Sequence, residues 1–239
     1  MIKIEETEVH GWETAIRGMR NPMNSWKSSD SCRCILNDCL MIVNGNNPAI
    51  SCNDGKYGIC LGLSDMALMK KLVRAGSDHS KFMRMITVTC DINAPLYWWK
   101  EFDTYKVGTV RNSCSTMHKI HEKEFSLDDF SYEHLFNEES GEIAWGDTVS
   151  ETVLEVVVDA LNVYRNKYIS TKNKKYWWQM IQLLPSSYNQ RATVQLNYQV
   201  LQSMYHARKS HKLDEWRDLC KWIEDLPYSD LITGGNENE

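Results

Sequence analysis

The sequence predicts a mainly helical α+β protein, folded as a single domain over residues 1–239. Three observations carry this expectation. The 239 residues are 42% apolar and 25% charged, ordinary globular proportions that supply a sizeable core. Apolar residues recur at helical spacing along most of the chain, above all after residue 150. One stretch near residue 90 alternates with period two, as a half-buried strand does.

From the N-terminus, Trp12, Ala15, Ile16 and Met19 share one helical face, and Asn21-Pro22 stops the helix. Residues 27–62, rich in Ser, Asn, Gly and Cys, suggest short strands near Cys34–Val43 and Tyr57–Leu61. Ser64 is placed to cap a helix with Asp65 in its first turn, Leu68, Met69, Leu72 and Val73 on one face, and Gly76 at its end. Ile86, Val88, Cys90 and Ile92 then alternate with polar residues as a strand. Asn93 is expected to cap a helix carrying Leu96-Tyr97-Trp98-Trp99, with Pro95 in its first turn.

Residues 103–149 read as irregular and polar, with an acidic segment from Asp128 to Glu142. Helices are expected over Ser150–Tyr168, with Val153, Leu154, Val157, Leu161 and Tyr164 inward, and over Tyr176–Leu184, halted by Pro185. A long helix is expected over Asn189–Lys209, with Val194, Asn197 and Leu201 on one side, and a last one over Leu213–Ile223. Residues 234–239 are expected to be a disordered tail.

Charge and composition narrow the function classes. Lys and Arg number 27 against 32 Asp and Glu, a net charge of -5. That gives no strong nucleic-acid signal and leaves room only for a local basic patch. No apolar run approaches the roughly 18–20 residues that span a bilayer, and the acidic N-terminus lacks the apolar stretch of an export signal. A cytoplasmic location follows as an expectation, in which the eight cysteines are reduced. Cys32, Cys34, Cys39 and Cys52 invite a zinc reading but lack paired Cys-x-x-Cys knuckles, so small buried hydrophobes are preferred and no metal is assigned. The glycine-rich dinucleotide fingerprint, the P-loop, His-Glu-x-x-His and Gly-x-Ser-x-Gly are all absent from the sequence.

Two clusters stand out. Residues 103–118 concentrate hydroxyls (Thr104, Thr109, Ser115), cations (Lys106, Arg111), Asn112, Cys114 and His118 within sixteen positions. Hydroxyls and cations suit phosphate oxygens, and amides suit the edge of a base or flavin, while the same residues also suit a solvated loop that satisfies its own turns. The second cluster runs from Tyr188, Asn189 and Arg191 through Asn197 to Arg208, Lys209, His211 and Lys212. Its final cations also complement a helix C-terminus, and Asn197 on an apolar side needs a hydrogen-bond partner.

In order and spacing these clusters resemble the flavin-dependent thymidylate synthases. The resemblance rests on the helix through Leu68–Gly76 with Ser80 following, the strand to Ile92, and Ala94-Pro95-Leu96-Tyr97-Trp98-Trp99. It continues in Leu184-Pro185, Tyr188, Asn197 and the stretch from Arg208 to His211 and Asp214-Glu215-Trp216. The family's Arg-His-Arg-x-x-Ser-x-Asn-Glu-x-Ser-x-Arg-Tyr signature is altered. Thr104-Tyr105-Lys106 stand for Arg-His-Arg and Thr109 for the first Ser. Asn112, Ser115 and His118 match only with a one-residue offset, Ser113 and Met117 replace the Glu and Arg, and Ile181 replaces the Arg ahead of Pro185.

The resemblance implies helices packed around a curved antiparallel sheet and a mainly helical C-terminal half. It further implies a homotetramer with FAD at subunit contacts, dUMP as substrate, and methylenetetrahydrofolate and NADPH as co-substrates. Within it, Arg208, Thr109 and Ser115 take the catalytic positions, and Ser80, Lys106, Asn197 and His211 lie near the flavin. Asn112, His118 and Arg208 lie near the nucleotide. Cys114 is a thiol that Lys106, Arg111 or His118 could activate toward a pyrimidine, or simply a half-buried side chain.

Overall fold

A computed structural model describes residues 2–33, 58–136 and 150–234. They form two compact units that interleave along the chain. The first holds Met1–Glu5, Asp91–Thr104 and Arg111–Thr193; the second holds Glu6–Cys90, Tyr105–Val110 and Val194–Glu239. Strands β1 (Lys3–His10), β4 (Thr87–Pro95), β6 (Asn189–Asn197) and β5 (Val110–Ser113) form, in that spatial order, a four-stranded antiparallel sheet. A short antiparallel pair, β2 (Cys32–Arg33) and β3 (Ile59–Cys60), sets Cys32 opposite Cys60.

In the second unit α1 (Trp12–Arg20) starts at Gly11, whose φ of +94° is left-handed. A Cβ there would lie 2.0 Å from the Met85 carbonyl oxygen, so only glycine lets the chain turn against that backbone. Helix α2 (Leu63–Arg74) corrects the expected cap. Gly62, not Ser64, is the capping residue, and the Asp30 carboxylate accepts from the Ser64 and Asp65 backbone N–H groups at 2.8 and 3.0 Å. Two orphan donors of the first turn are thus satisfied from outside the helix. The core of this unit is aromatic and methionine-rich. Trp12 meets Tyr198 and Tyr228 edge-on at 5.3 and 5.2 Å, and Met69, Met83, Met204 and Trp216 are fully buried.

Strand β4 bears out the alternation: Val88, Cys90, Ile92 and Ala94 are buried between half-buried polar residues. It also runs further than expected, through Asn93 to Pro95, so Asn93 is not a helix cap. Helix α3 (Leu96–Phe102) needs none, because Leu96 and Tyr97 N–H donate to the Tyr188 and Ser186 carbonyls at 3.0 Å each. Trp98, Trp99 and Phe102 of α3 are buried in the first unit, with ring centroids 5.0 to 5.2 Å apart.

The expected long helix over Asn189–Lys209 is instead a strand followed by a helix. Gln190, Ala192, Val194 and Leu196 are buried in alternation along β6, and α6 (Tyr198–Arg208) begins only at Tyr198. In α4 (Ser150–Thr171) the inward face is Leu154, Val158 and Leu161, while Val153 is exposed, a rotation of the expected stripe. Helix α4 packs with α5 (Lys174–Leu183) over a core of Ile120, Phe125, Phe130 and Met180. Helices α7 (Asp214–Glu224) and α8 (Asp230–Thr233) complete the second unit. The strand expected at Cys34–Val43, Cys34, Cys39 and Cys52 of the zinc reading, the end of the acidic segment and residues 235–239 lie outside the described residues. Among the described residues no cluster of His, Cys, Asp or Glu could hold a metal ion, and no helix is long and apolar enough to cross a membrane.

Candidate functional site

The second unit holds six of the nine residues to which the resemblance gives a role: Ser80, Lys106, Thr109, Asn197, Arg208 and His211. Gly108, with φ of +80°, turns the chain so that its carbonyl accepts from Asn197 Nδ2 at 3.4 Å. A Cβ at this position would come within 2.7 Å of that same nitrogen. Asn197 is the N-cap of α6, its Oδ1 accepting from the Val200 N–H at 3.0 Å. The amide expected to need a partner therefore has two, and it ties the 105–110 stretch to the start of α6.

At the other end of α6 Arg208 is held in an aromatic cradle. Its Nε donates to the Tyr105 hydroxyl at 3.0 Å. Its guanidinium carbon sits 4.5 Å from the Trp216 ring centre and 5.7 Å from that of Tyr105. The Trp216 ring and the Tyr105 hydroxyl together restrain the guanidinium while leaving its charge intact. Tyr105 stands where the resemblance has a histidine, so the departure from the signature is itself part of the cradle. His211 lies in the turn ahead of α7: its Nδ1 accepts from the Leu213 N–H at 3.2 Å, and its ring lies edge-on to Trp216 at 6.3 Å.

Of the remaining residues of this unit, Lys106 is exposed. The Thr109 hydroxyl oxygen is buried and has no hydrogen-bond partner among the described residues. Ser80 is 1% exposed and donates to Gln199 Oε1 at 3.1 Å, so it anchors α6 from within the core.

The first unit holds Asn112, Cys114, Ser115 and His118. Asn112 is exposed on β5. The Ser115 hydroxyl accepts from the Met117 and His118 N–H groups at 3.2 and 3.0 Å, making the turn that carries the exposed His118. Cys114 and Ser115 line a cavity of about 190 Å³ together with Asn93, Asp129, Tyr188 and Arg191. Its frame is tight: Cys114 N–H donates to the Arg191 carbonyl at 2.9 Å, and Gln190 Nε2 to the Cys114 carbonyl at 2.6 Å. Burial, helped by the Asp129 carboxylate, pushes the Tyr188 phenol above its ordinary pKa and keeps it a donor. The Asp91 carboxyl is held below its usual range by hydrogen bonds from Thr193 and Arg191, both at 2.6 Å. The cation lining the cavity beside Cys114 is Arg191, not Arg111 or His118. Arg111 instead lies 4.6 Å over the Trp99 ring and 3.1 Å from Asp103.

Tyr105, Trp216 and Gly108 were not among the residues assigned from the sequence. The signal was present in the doublet of an aromatic at the start of one cluster and Trp216 just past the end of the other. Only the folded chain puts both rings on Arg208.

The architecture defines a class: the fold is that of the flavin-dependent thymidylate synthases. A crystal structure of the Helicobacter pylori flavin-dependent thymidylate synthase, ThyX, complexed with FAD and dUMP, superposes with a TM-score of 0.61 at 19% identity over 97% of both chains. A second structure of that enzyme with FAD and dUMP gives 0.62 at 19% identity, over 98% of this chain and 97% of the other. No protein-family model matches the sequence, and no curated protein matches it.

Proposed function

We propose that this protein binds FAD and a pyrimidine deoxynucleotide of the dUMP type and carries out reductive methylation of the base. Methylenetetrahydrofolate would be the carbon donor and NADPH the reductant. One observation carries the reading: a fold shared over nearly the whole chain with an enzyme complexed with FAD and dUMP; in this chain Arg208 offers an oriented guanidinium beside it.

The residues present fit an anionic, hydrogen-bonding cofactor. Lys106 is an exposed cation, and the buried Thr109 hydroxyl lacks a partner among the described residues. Leaving such a group unsatisfied costs about 1–3 kcal/mol, which a phosphate or ribityl oxygen would recover. Asn197 and Gly108 would hold this turn in place, with Ser80 and His211 fixing the two helices that flank it. Bound reduced flavin supplies hydride; the protein supplies position and charge. Arg208 would donate to a carbonyl oxygen of the pyrimidine, stabilising the negative charge that develops there as C5 becomes nucleophilic. Ser115, Asn112 and His118 would contact the nucleotide. A homotetramer with flavin at subunit contacts and a cytoplasmic location belong to the same proposal, as does a single domain over residues 1–239.

The test is flavin content and turnover. The purified protein is expected to be yellow or to become so with FAD, and to oxidise NADPH only when dUMP is present. Arg208→Ala is expected to keep FAD and weaken dUMP binding by roughly 10–100-fold, the value of a charge-assisted hydrogen bond. Protein that takes up neither FAD nor dUMP would overturn the proposal. A second reading, nucleotide binding without methylation, is favoured by the engagement of Arg111 with Trp99 and Asp103. Flavin and dUMP binding without NADPH oxidation would establish it.

A further inference from the structure

Between Asp159 and Asp214 the sequence contains no acidic residue. Four cations of this interval, Lys167, Lys172, Lys174 and Lys175, fall where α4 turns into α5, and all four are exposed. The turn is well specified. Lys172 takes a left-handed φ of +52°, its N–H donating to the Tyr168 carbonyl at 2.8 Å, and Asn173 caps α5 by accepting from the Lys175 N–H at 3.1 Å.

Each ammonium lies over an aromatic ring. Lys175 is 4.8 Å from the ring centre of Tyr176 and Lys167 5.7 Å from it; Lys172 is 5.9 Å from Tyr168. Lys174 is 5.7 and 5.8 Å from Trp177 and Trp178. Trp177 is pinned by its Nε1, which donates to the Met117 carbonyl at 2.9 Å, but Trp178 is 44% exposed. None of the four lysines pairs with a described carboxylate.

We infer that this helical hairpin tip is a binding surface for single-stranded nucleic acid. Its chemistry is that of such surfaces: a cluster of exposed cations for a phosphate backbone and, in Trp178, an exposed indole on which an unpaired base can stack once Lys174 turns to a phosphate. Duplex bases are already stacked and cannot use the indole of Trp178. The overall charge of -5 does not oppose this, because phosphates within reach respond to the local field at separations below the Debye length. None of the four lysines nor Trp178 is given a role in FAD or dUMP binding, so the inference is tested independently of that reading.

The test is fluorescence anisotropy with a dye-labelled, all-deoxyadenosine oligonucleotide of about 20 residues, which offers no pyrimidine to the proposed nucleotide site. Four phosphate contacts at a slope of about 0.7 each predict an affinity loss of about 50-fold between 50 and 200 mM salt. Lys172→Gln, Lys174→Gln and Lys175→Gln together leave one contact, so the same change in salt should then cost only about threefold. Trp178→Ala should weaken binding at least about fivefold without changing the salt slope, because it removes stacking and no charge. Circular dichroism spectra and melting curves identical to wild type confirm that the variants are folded. The inference is overturned if the oligonucleotide does not bind, if the variants bind as wild type does, or if the duplex binds as tightly as the single strand. It is also overturned if phosphatidylserine vesicles retain the protein while the oligonucleotide does not.

Discussion

The Asp65 carboxylate accepts five hydrogen bonds within the second unit, and replacing it by asparagine tests how that unit is held. Asp65 and Arg20 are 0% and 3% exposed. Oδ1 accepts from Arg20 Nε at 2.6 Å, while Oδ2 accepts from the Ser29 and Ser31 hydroxyls and the Asp30 and Ser31 N–H groups at 2.6 to 3.2 Å. The guanidinium completes its bonding on the Ser25 carbonyl and the Ser64 hydroxyl.

An asparagine in this position must turn its NH₂ either toward a guanidinium or toward four donors. Either way donors face donors, and the buried Arg20 charge loses its counter-charge. Breaking a buried pair from one side costs about 3–5 kcal/mol, a large part of the roughly 5–15 kcal/mol that holds a domain folded. At roughly 2–4 °C per kcal/mol for a chain of this size, Asp65→Asn should lower the melting temperature by about 6–20 °C. Thermal and urea unfolding followed by circular dichroism measure both quantities. A loss below about 1 kcal/mol would refute the claim that the charge, rather than the shape, of Asp65 organises these loops.

The same residue carries a pH signature. Burial raises the Asp65 pKa, but the hydrogen bonds from Ser31, Ser29 and Arg20 and the Arg20 charge outweigh it, and the folded carboxyl lies below its ordinary value. Its contribution to stability is therefore complete above the unfolded pKa of about 3.9 and is lost as pH falls through the lower folded value. Asp65→Asn should flatten that acid limb.

Two further outcomes are expected. Gly108→Ala forces an L residue into a left-handed φ of +80° against Asn197; it should destabilise by about 1–2 kcal/mol and weaken FAD uptake, read by melting and flavin titration. The Cys220 thiol, pushed up to about 11 by burial and by Glu224, should resist alkylation at pH 8 while the exposed Cys114 reacts well before it; peptide mass spectrometry after brief iodoacetamide treatment measures the order of the two.

Much of the architecture is written locally. The period-two run from Ile86 to Ile92 contains β-branched residues on a half-buried face, and it became β4. Trp12–Met19, Leu154–Leu161 and the α7 segment place apolar residues at helical spacing, and Pro185 ends α5. In each case the period of the backbone and the period of the apolar residues coincide, so the chain declares its element without reference to its neighbours. Of the site, Asn197, Arg208, Lys106 and Thr109 were identifiable by type and order.

Where local pattern and context diverge, only tertiary structure decided. Residues 189–197 carry no glycine, proline or long apolar run to separate them from α6, and Val194, Asn197 and Leu201 mimic a helical stripe. They form a strand because Gln190, Ala192, Val194 and Leu196 meet buried surface in alternation within the sheet. Strand β1 is mostly exposed and polar, so it has no hydrophobic period to announce it. The cradle brings Tyr105 to Arg208 and Trp216 across a hundred positions or more, as the pair of Arg191 with Asp91 also does. Sequence spacing encodes periodicity, which is a local property of the backbone. The placing of a guanidinium against two rings depends on chain closure over a long separation, and that is settled only when the strands and helices pack.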